Sequence, residues 1–136
     1  MRPLIFILAI LAVAAAQAVL PAQAQVGIID DSKDVIYTFG GQMIFTLVAH
    51  SESNITSAIL LVRVGDADRT DVIVAPITPA QRIETKYTRD LQADPIPPFA
   101  PVYYSWRLED ADGHIFVTQE QTQLYEDNRF TWQSAG

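Results

Sequence analysis

The chain has 136 residues, of which 16 are acidic and 9 are basic, so its formal net charge at pH 7 is −7. An acidic surface argues against nucleic acid and against anionic lipid as partners, because both are polyanions. The sequence contains no cysteine, which excludes disulfide bonds and metal sites with thiolate ligands.

The first 24 residues have the features of a secretory signal peptide. A basic Met1-Arg2 start precedes an unbroken apolar run over residues 4–16, and Ala22-Gln23-Ala24 matches the small-x-small cleavage pattern. We therefore expect a leader helix that is cleaved after Ala24, and a protein that is secreted or located at the cell surface. The alternative is a retained anchor that would make the membrane a partner, although the run is shorter than the roughly 20 residues of a spanning helix.

Short apolar segments alternate with polar breaks through the first half of the remaining chain. Residues 42–51 give the clearest strand, and because both of its faces are rather apolar we expect it at the centre of a sheet. A polar break is predicted at residues 30–33 and a loop at residues 51–54. The strands predicted in this half are residues 25–29, 35–39, 42–51, 58–64 and 72–74.

The segment that follows combines a half-exposed strand with a stiff connection. Residues 82–91 alternate Ile83, Thr85 and Tyr87 with polar side chains, which predicts one face in water. Residues 92–101 contain four prolines, and neither a helix nor a regular strand tolerates that density. We expect this segment to cross between two sheets.

Residues 100–125 predict two long strands joined by a tight turn. Residues 110–113 supply the turn chemistry, with Gly113 free to adopt a positive φ. The apolar positions change parity along the return strand, which predicts a β-bulge near Glu120 or Gln121. The side chains predicted to face the core from the first strand are Val102, Tyr104, Leu108 and, at its centre, Trp106.

The order of these elements predicts an all-β fold. About seven short strands with turns every eight to twelve residues are typical of a Greek-key β-sandwich of the immunoglobulin or fibronectin type III kind. The sandwich is predicted over residues 25–127, followed by a tail or domain junction at residues 128–136. Tyr104 is the candidate for the tyrosine-corner position, and the core must hold without disulfides.

Three loops are rich in aspartate and raise the question of calcium. Calcium takes several oxygen ligands, but none of the loops has the spacing and terminal glutamate of an EF-hand. Aspartate also stabilises turns by bonding its own backbone, so we predict turn chemistry with no metal and no cofactor. The residues concerned are Asp30, Asp31, Asp34, Asp66, Asp68, Asp71, Asp110 and Asp112.

No catalytic motif is present in the sequence. His50 and His114 are the only histidines, and neither belongs to a His-Glu-x-x-His pair. The Gly-x-Ser-x-Gly nucleophile motif is also missing. We therefore predict that the protein is not an enzyme.

Surface aromatic residues are the best candidates for an interaction site. Tyr103, Phe116 and Tyr125 could form a platform for a sugar or a protein, and Phe130 and Trp132 could extend it from the tail. The alternative for the strand residues is cross-strand aromatic pairing, which stabilises sheets by about 0.2–1 kcal/mol per pair. For the tail, folding back on the sandwich is a near-equal alternative to docking.

Four stretches resemble a known domain: YTFGGQMIFTLVAHSESNIT, RTDVIVAPI, DLQADPIPPFAPVYYSWRLEDADG and QTQLYEDNRFTWQ. They are similar to the N-terminal immunoglobulin-like β-sandwich that precedes a peptidase MA-like metallopeptidase domain in secreted or surface-anchored bacterial proteins. The most specific part is residues 125–132. The family's zinc-binding helix would lie downstream and none of its catalytic residues is present, so the resemblance implies an accessory domain.

These observations predict an exported, non-catalytic β-sandwich that acts as an accessory, interaction or scaffold domain. The alternative is a carbohydrate- or ligand-binding module of the same fold. The expected partner is accordingly an unidentified protein or a polysaccharide.

Overall fold

The computed structural model describes residues 27–130, and within them every regular element is a β-strand. The predicted leader and the last tail residues, including Trp132, lie outside the described residues. Seven antiparallel strands form one curled sheet, which confirms the predicted all-β fold. They are β1 (Ile29–Tyr37), β2 (Gln42–Val64), β3 (Asp71–Val74), β4 (Ala80–Asp90), β5 (Pro101–Asp110), β6 (Ile115–Val117) and β7 (Gln121–Leu124).

The 23-residue strand β2 takes part in both layers of the fold. Its first half pairs with β1 and β4, and its second half pairs with β3 and β5. The ladders shift register between His50 and Ser57, where the strand passes from one layer to the other. The first layer is therefore β1, β2 and β4, and the second is β3, β2, β5, β6 and β7.

The connection from β4 to β5 crosses between the layers, as its prolines predict. Most of β4 pairs with the first-layer half of β2, whereas β5 pairs with the second-layer half. Leu91 and Ile96 in this connection are buried. Its end is tied to the last strand, because the Phe99 N–H donates to the Tyr125 carbonyl. This crossover gives the sandwich its Greek-key connectivity.

The core lies between the inward faces of the two layers. Trp106 is fully buried, as predicted, and the rings of Phe45 and Tyr104 meet edge to face with centroids 5.3 Å apart. Burial of such apolar side chains is the main stabilising contribution in a domain without disulfides. The other fully buried large side chains are Met43, Leu47, Ile55, Leu60, Leu108, Val62 and Val102.

The predicted bulge lies in the return strand of the final hairpin. Arg107 pairs with Val117, but Tyr104 pairs with Gln121, so one extra residue is accommodated between β6 and β7. The extra residue changes which face each side chain occupies. Gly113 has a φ of 83° in the preceding turn, also as predicted.

Three local predictions are wrong. Residues 30–33 belong to β1, because an edge strand can turn polar side chains to water while its backbone pairs with β2. Residues 51–54 lie within β2, where the strand bends between layers instead of ending. Tyr104 is buried but its hydroxyl makes no hydrogen bond within the described residues, so it does not form a tyrosine corner.

Candidate functional site

The structure separates the aromatic residues that the sequence suggested as one surface. Tyr103 lies on the outward face of β5, where the guanidinium of Arg63 sits 4.1 Å from its ring centroid. Phe116 pairs with the buried Leu108 and packs against the edge of the core. Tyr103 and Phe116 therefore lie on opposite faces of the second layer and cannot form a common platform.

Tyr125 was wrongly predicted as a surface residue, since it is only 3% exposed. Its ring stacks on Phe39 with centroids 4.9 Å apart, and its hydroxyl accepts a hydrogen bond of 2.8 Å from the Gly40 N–H. Tyr37 contacts the same ring at 5.3 Å. Tyr125 thus anchors the turn between β1 and β2, a contact between residues about 85 positions apart.

The start of the tail folds back onto the same turn. The side-chain amide of Asn128 accepts from the Phe39 N–H at 3.1 Å and donates to the Tyr37 carbonyl at 2.8 Å. Side-chain hydrogen bonds from Arg129 hold the pKa of Asp127 below its usual value. Phe130 is 64% exposed, and its role in an interaction stays a prediction.

A different surface has the properties of a binding site, and it lies on the outward side of the second layer. Cross-strand pairing places Val74, Ile59, Arg107 and Val117 in one row across β3, β2, β5 and β6. Val72, Leu61 and Ser105 form the adjacent row. Paired residues share a face of a sheet. We call the apolar members the aliphatic face: Ile59, Leu61, Val72, Val74 and Val117.

The aliphatic face is open to solvent at both of its sides. Val74 is 76% exposed and Val72 is 64% exposed on the edge strand β3, and Val117 is 52% exposed on β6. Ile59 and Leu61 between them are half-buried. Scattered exposed apolar residues are ordinary, whereas a cluster of four apolar residues on the neighbouring strands β3 and β2, with Val117 on the far side of Arg107, is typical of an interaction site.

Arg107 supplies the charge at the centre of this surface. Its cross-strand neighbours are Ile59 and Val117, and within the described residues its guanidinium makes no ion pair and no side-chain hydrogen bond. Arg63, two rows away, is already engaged by Tyr103 and by Glu120 at 3.7 Å. Arg107 is therefore the charged group of this face that has donors available to a partner.

The sequence carries a signal for this face in its aliphatic residues, not in its aromatic ones. Residues 58–62 and 72–74 are apolar at both parities of the strand, so each strand presents aliphatic side chains to both sides of the sheet. Such a run predicts either burial on both faces or an exposed apolar face. The position of β3 at the edge of a two-layer fold selects the second of these possibilities, an exposed apolar face.

A polar cluster lies at the turn between β5 and β6, and its hydrogen bonds hold the backbone of that turn. The carboxylate of Asp110 accepts hydrogen bonds from the Asp112 and His114 N–H groups, each at 3.0 Å, and from the Ser51 hydroxyl at 3.3 Å. The His114 Nδ1 lies 2.9 Å from it. Burial alone would raise the pKa of Asp110, but the hydrogen bonds and charge of His114, with the Asp112 N–H, lower it.

This cluster does not have the geometry of a catalytic triad. In a triad the imidazole stands between the hydroxyl and the carboxylate, whereas here the Asp110 carboxylate stands between Ser51 and His114. His50 is paired separately with Asp31 at 2.7 Å. Over residues 27–130, no group of three or more histidine, aspartate or glutamate side chains is arranged to hold a metal ion.

Among the described residues there is no helix of the length and apolarity that a membrane crossing requires.

No protein-family model matches the chain, and a search of curated proteins finds no match either.

Proposed function

We propose that the protein is an exported, non-catalytic interaction domain that binds another protein through the aliphatic face. The observation that carries this proposal is the row Val74–Ile59–Arg107–Val117, which places branched apolar side chains on both sides of a guanidinium that makes no ion pair with residues 27–130. Interfaces commonly combine an apolar centre with arginine. The leader-like N-terminus and the resemblance to an accessory sandwich support the exported, non-catalytic part of the proposal.

The chemistry of the aliphatic face favours a protein over a sugar as its partner. Saccharides pack against aromatic rings, but the outward apolar residues here are valine, isoleucine and leucine. Tyr103, an aromatic residue on the same face of β5, is covered by Arg63. A strand or helix that presents small apolar side chains would complement this surface.

The position of Arg107 favours a different protein over a second copy of this chain. A symmetric dimer centred on this row would bring two Arg107 guanidinium groups together, and like charges that meet in an interface are costly. A partner with an apolar strip and a central carboxylate would satisfy both the aliphatic side chains and the guanidinium.

Site-specific photo-crosslinking in the native host tests the proposal. A photoreactive amino acid at Val74 is compared with the same residue at Ile36, which is 64% exposed on the outward side of the first layer. We expect a specific adduct from Val74 only, lost when Arg107→Glu is added, with the crosslinked peptide of the partner rich in apolar and acidic residues.

Three outcomes would contradict the proposal. The first is an adduct of equal yield from Ile36, which would indicate non-specific contact. The second is an adduct with another copy of this chain, which would assign the face to self-association. The third is the absence of any adduct from Val74 in the exported fraction.

A further inference from the structure

We infer that a cleft between β3 and β4 is a second binding site, which takes a neutral saccharide. The cleft has a volume of about 500 Å³, and its lining includes Arg69, Asp71, Ile73, Tyr87, Arg89 and Asp94. Val72 lines both this cleft and the aliphatic face, but the charged and aromatic side chains of the cleft are not part of that face. The inference therefore rests on other residues than the proposed protein interaction, and it favours the carbohydrate-binding alternative as an additional activity.

The topology of the sheet explains why a cleft forms at this place. β3 pairs only with the second-layer half of β2, while β4 pairs with the first-layer half along most of its length. The free edges of β3 and β4 therefore border the same side of the sandwich with no ladder between them. The turn after β2 and the connection after β4 contribute the remaining walls, through Ala67 and Asp94.

Two ion pairs give the cleft both donors and acceptors without net charge. The Arg69 Nε lies 3.1 Å from an Asp71 carboxylate oxygen, and the Arg89 Nη2 lies 3.0 Å from an Asp94 carboxylate oxygen. An anionic ligand would have to compete with these carboxylates for the guanidinium groups. A neutral ligand with hydroxyl groups can donate to the carboxylates and accept from the guanidiniums at the same time.

Arg89 is the most constrained of these polar groups, since it is only 7% exposed. Its Nε donates to the Asp94 carbonyl at 3.1 Å and its Nη2 pairs with the Asp94 carboxylate. Its Nη1 has no hydrogen-bond partner among residues 27–130. A guanidinium has five N–H donors, and Nη1 is not one of the buried polar atoms without a partner, so it is accessible from the cleft. The cleft therefore offers fixed donors that a ligand hydroxyl can satisfy.

The apolar wall of the cleft suits the ring of a sugar. Tyr87 and Ile73 are both half-buried and both line the cavity. Small-molecule sites typically combine such apolar walls with a few fixed polar groups. Ion pairs and an aromatic ring that line the same cleft match a saccharide, whose hydroxyl groups lie around the edge of a ring with apolar C–H faces.

The test is an NMR titration of the isotope-labelled exported protein with four neutral oligosaccharides, namely cellohexaose, maltohexaose, mannohexaose and chitohexaose. We expect at least one of them, at millimolar concentration or below, to shift the amide signals of residues 69–71 and 87–89. The exchange of Tyr87→Leu should weaken that binding at least about tenfold. Asp71→Asn should weaken it as well while keeping the side-chain shape.

Tyr103→Leu is the matched control, because Tyr103 is a half-buried tyrosine on the outward side of the second layer. Its oligosaccharide affinity should equal that of the unaltered protein. The inference is overturned if none of the four oligosaccharides shifts these signals, or if the shifts map to another surface. It is also overturned if a correctly folded Asp71→Asn or Tyr87→Leu protein binds as tightly as the unaltered one.

Discussion

Trp106 and Thr118 are joined by two hydrogen bonds across the second layer. The Trp106 N–H donates to the Thr118 hydroxyl at 2.9 Å, and the Thr118 N–H donates to the Trp106 carbonyl at 2.9 Å. Thr118 is only 3% exposed and occupies the interval between β6 and β7 in which the extra residue is accommodated. The bulge leaves the Trp106 N–H outside the regular ladder of backbone hydrogen bonds. The buried hydroxyl of Thr118 accepts from this N–H instead.

The exchange of Thr118→Val should destabilise the protein by about 1–3 kcal/mol, because it leaves the buried Trp106 N–H without an acceptor. The measurement is the free energy of unfolding in urea. Thr122→Val is the control, since Thr122 is an exposed residue of β7. Equal effects from the two exchanges would show that the hydroxyl of Thr118 has no special role.

The exchange of Trp106→Ala should lower the free energy of unfolding by about 3–5 kcal/mol, the usual cost of removing a large buried aromatic side chain. The indole Nε1 has no hydrogen-bond partner in the described part of the chain. Trp106→Phe should therefore cost clearly less than Trp106→Ala, because it removes an unsatisfied donor together with part of the ring. A loss below about 1 kcal/mol for Trp106→Ala would mean that the indole is not central to the core.

The fold could be predicted from the sequence where one face of a strand is apolar and the other is polar. β5 shows this clearly, and both its buried face and the bulge opposite it follow from side-chain parity. The prediction failed where backbone pairing with a neighbouring strand continues a strand through residues whose polar composition predicts a loop. The backbone of β1 pairs through a polar segment, and β2 continues through residues 51–54 because a curled sheet needs a bent strand there.

The candidate site was much less predictable than the fold. Val72 and Val74 are aliphatic like the inward Ile73 and differ from it in parity, and parity does not reveal which face of an edge strand is covered. Tyr125 shows the opposite difficulty. Its burial depends on Phe39 and Gly40, far away in sequence, and only the closed sandwich brings them together.

Acid should destabilise the protein partly through Asp110. Its pKa in the folded protein is lowered, so its contribution to stability is present above the unfolded value of about 3.9 and is lost as the pH falls through the folded value. Asp110→Asn should therefore flatten the decline in unfolding free energy below about pH 4.

His114→Gln provides the comparison, because it removes the ring that hydrogen-bonds to Asp110 while the backbone donors remain. Its decline with pH should lie between those of the unaltered protein and Asp110→Asn. The measurement is urea unfolding at several pH values. Identical profiles for all three proteins would contradict the role of Asp110.

The tail should contribute to stability through Asn128. Asn128→Ala removes both hydrogen bonds to the turn after β1 and should cost about 1 kcal/mol, since each bond contributes modestly in an exposed position. Asn54→Ala is the control, because the Asn54 side chain makes no hydrogen bond within residues 27–130. Phe130→Ser should change the unfolding free energy by less than about 0.5 kcal/mol. A larger loss for Phe130→Ser would mean that its ring completes the core.

The role of the aliphatic face is tested most directly by separating binding from stability. Val74→Thr keeps the shape and the strand preference of the side chain but makes it polar, and Ile36→Thr is the matched exchange on the first layer. With the partner identified by crosslinking, purified and titrated by calorimetry, Val74→Thr should weaken binding about tenfold. Its unfolding free energy should change by less than about 0.5 kcal/mol, and Ile36→Thr should bind normally. Unchanged affinity for Val74→Thr, or equal loss for Ile36→Thr, would contradict the assignment of this face as the binding surface.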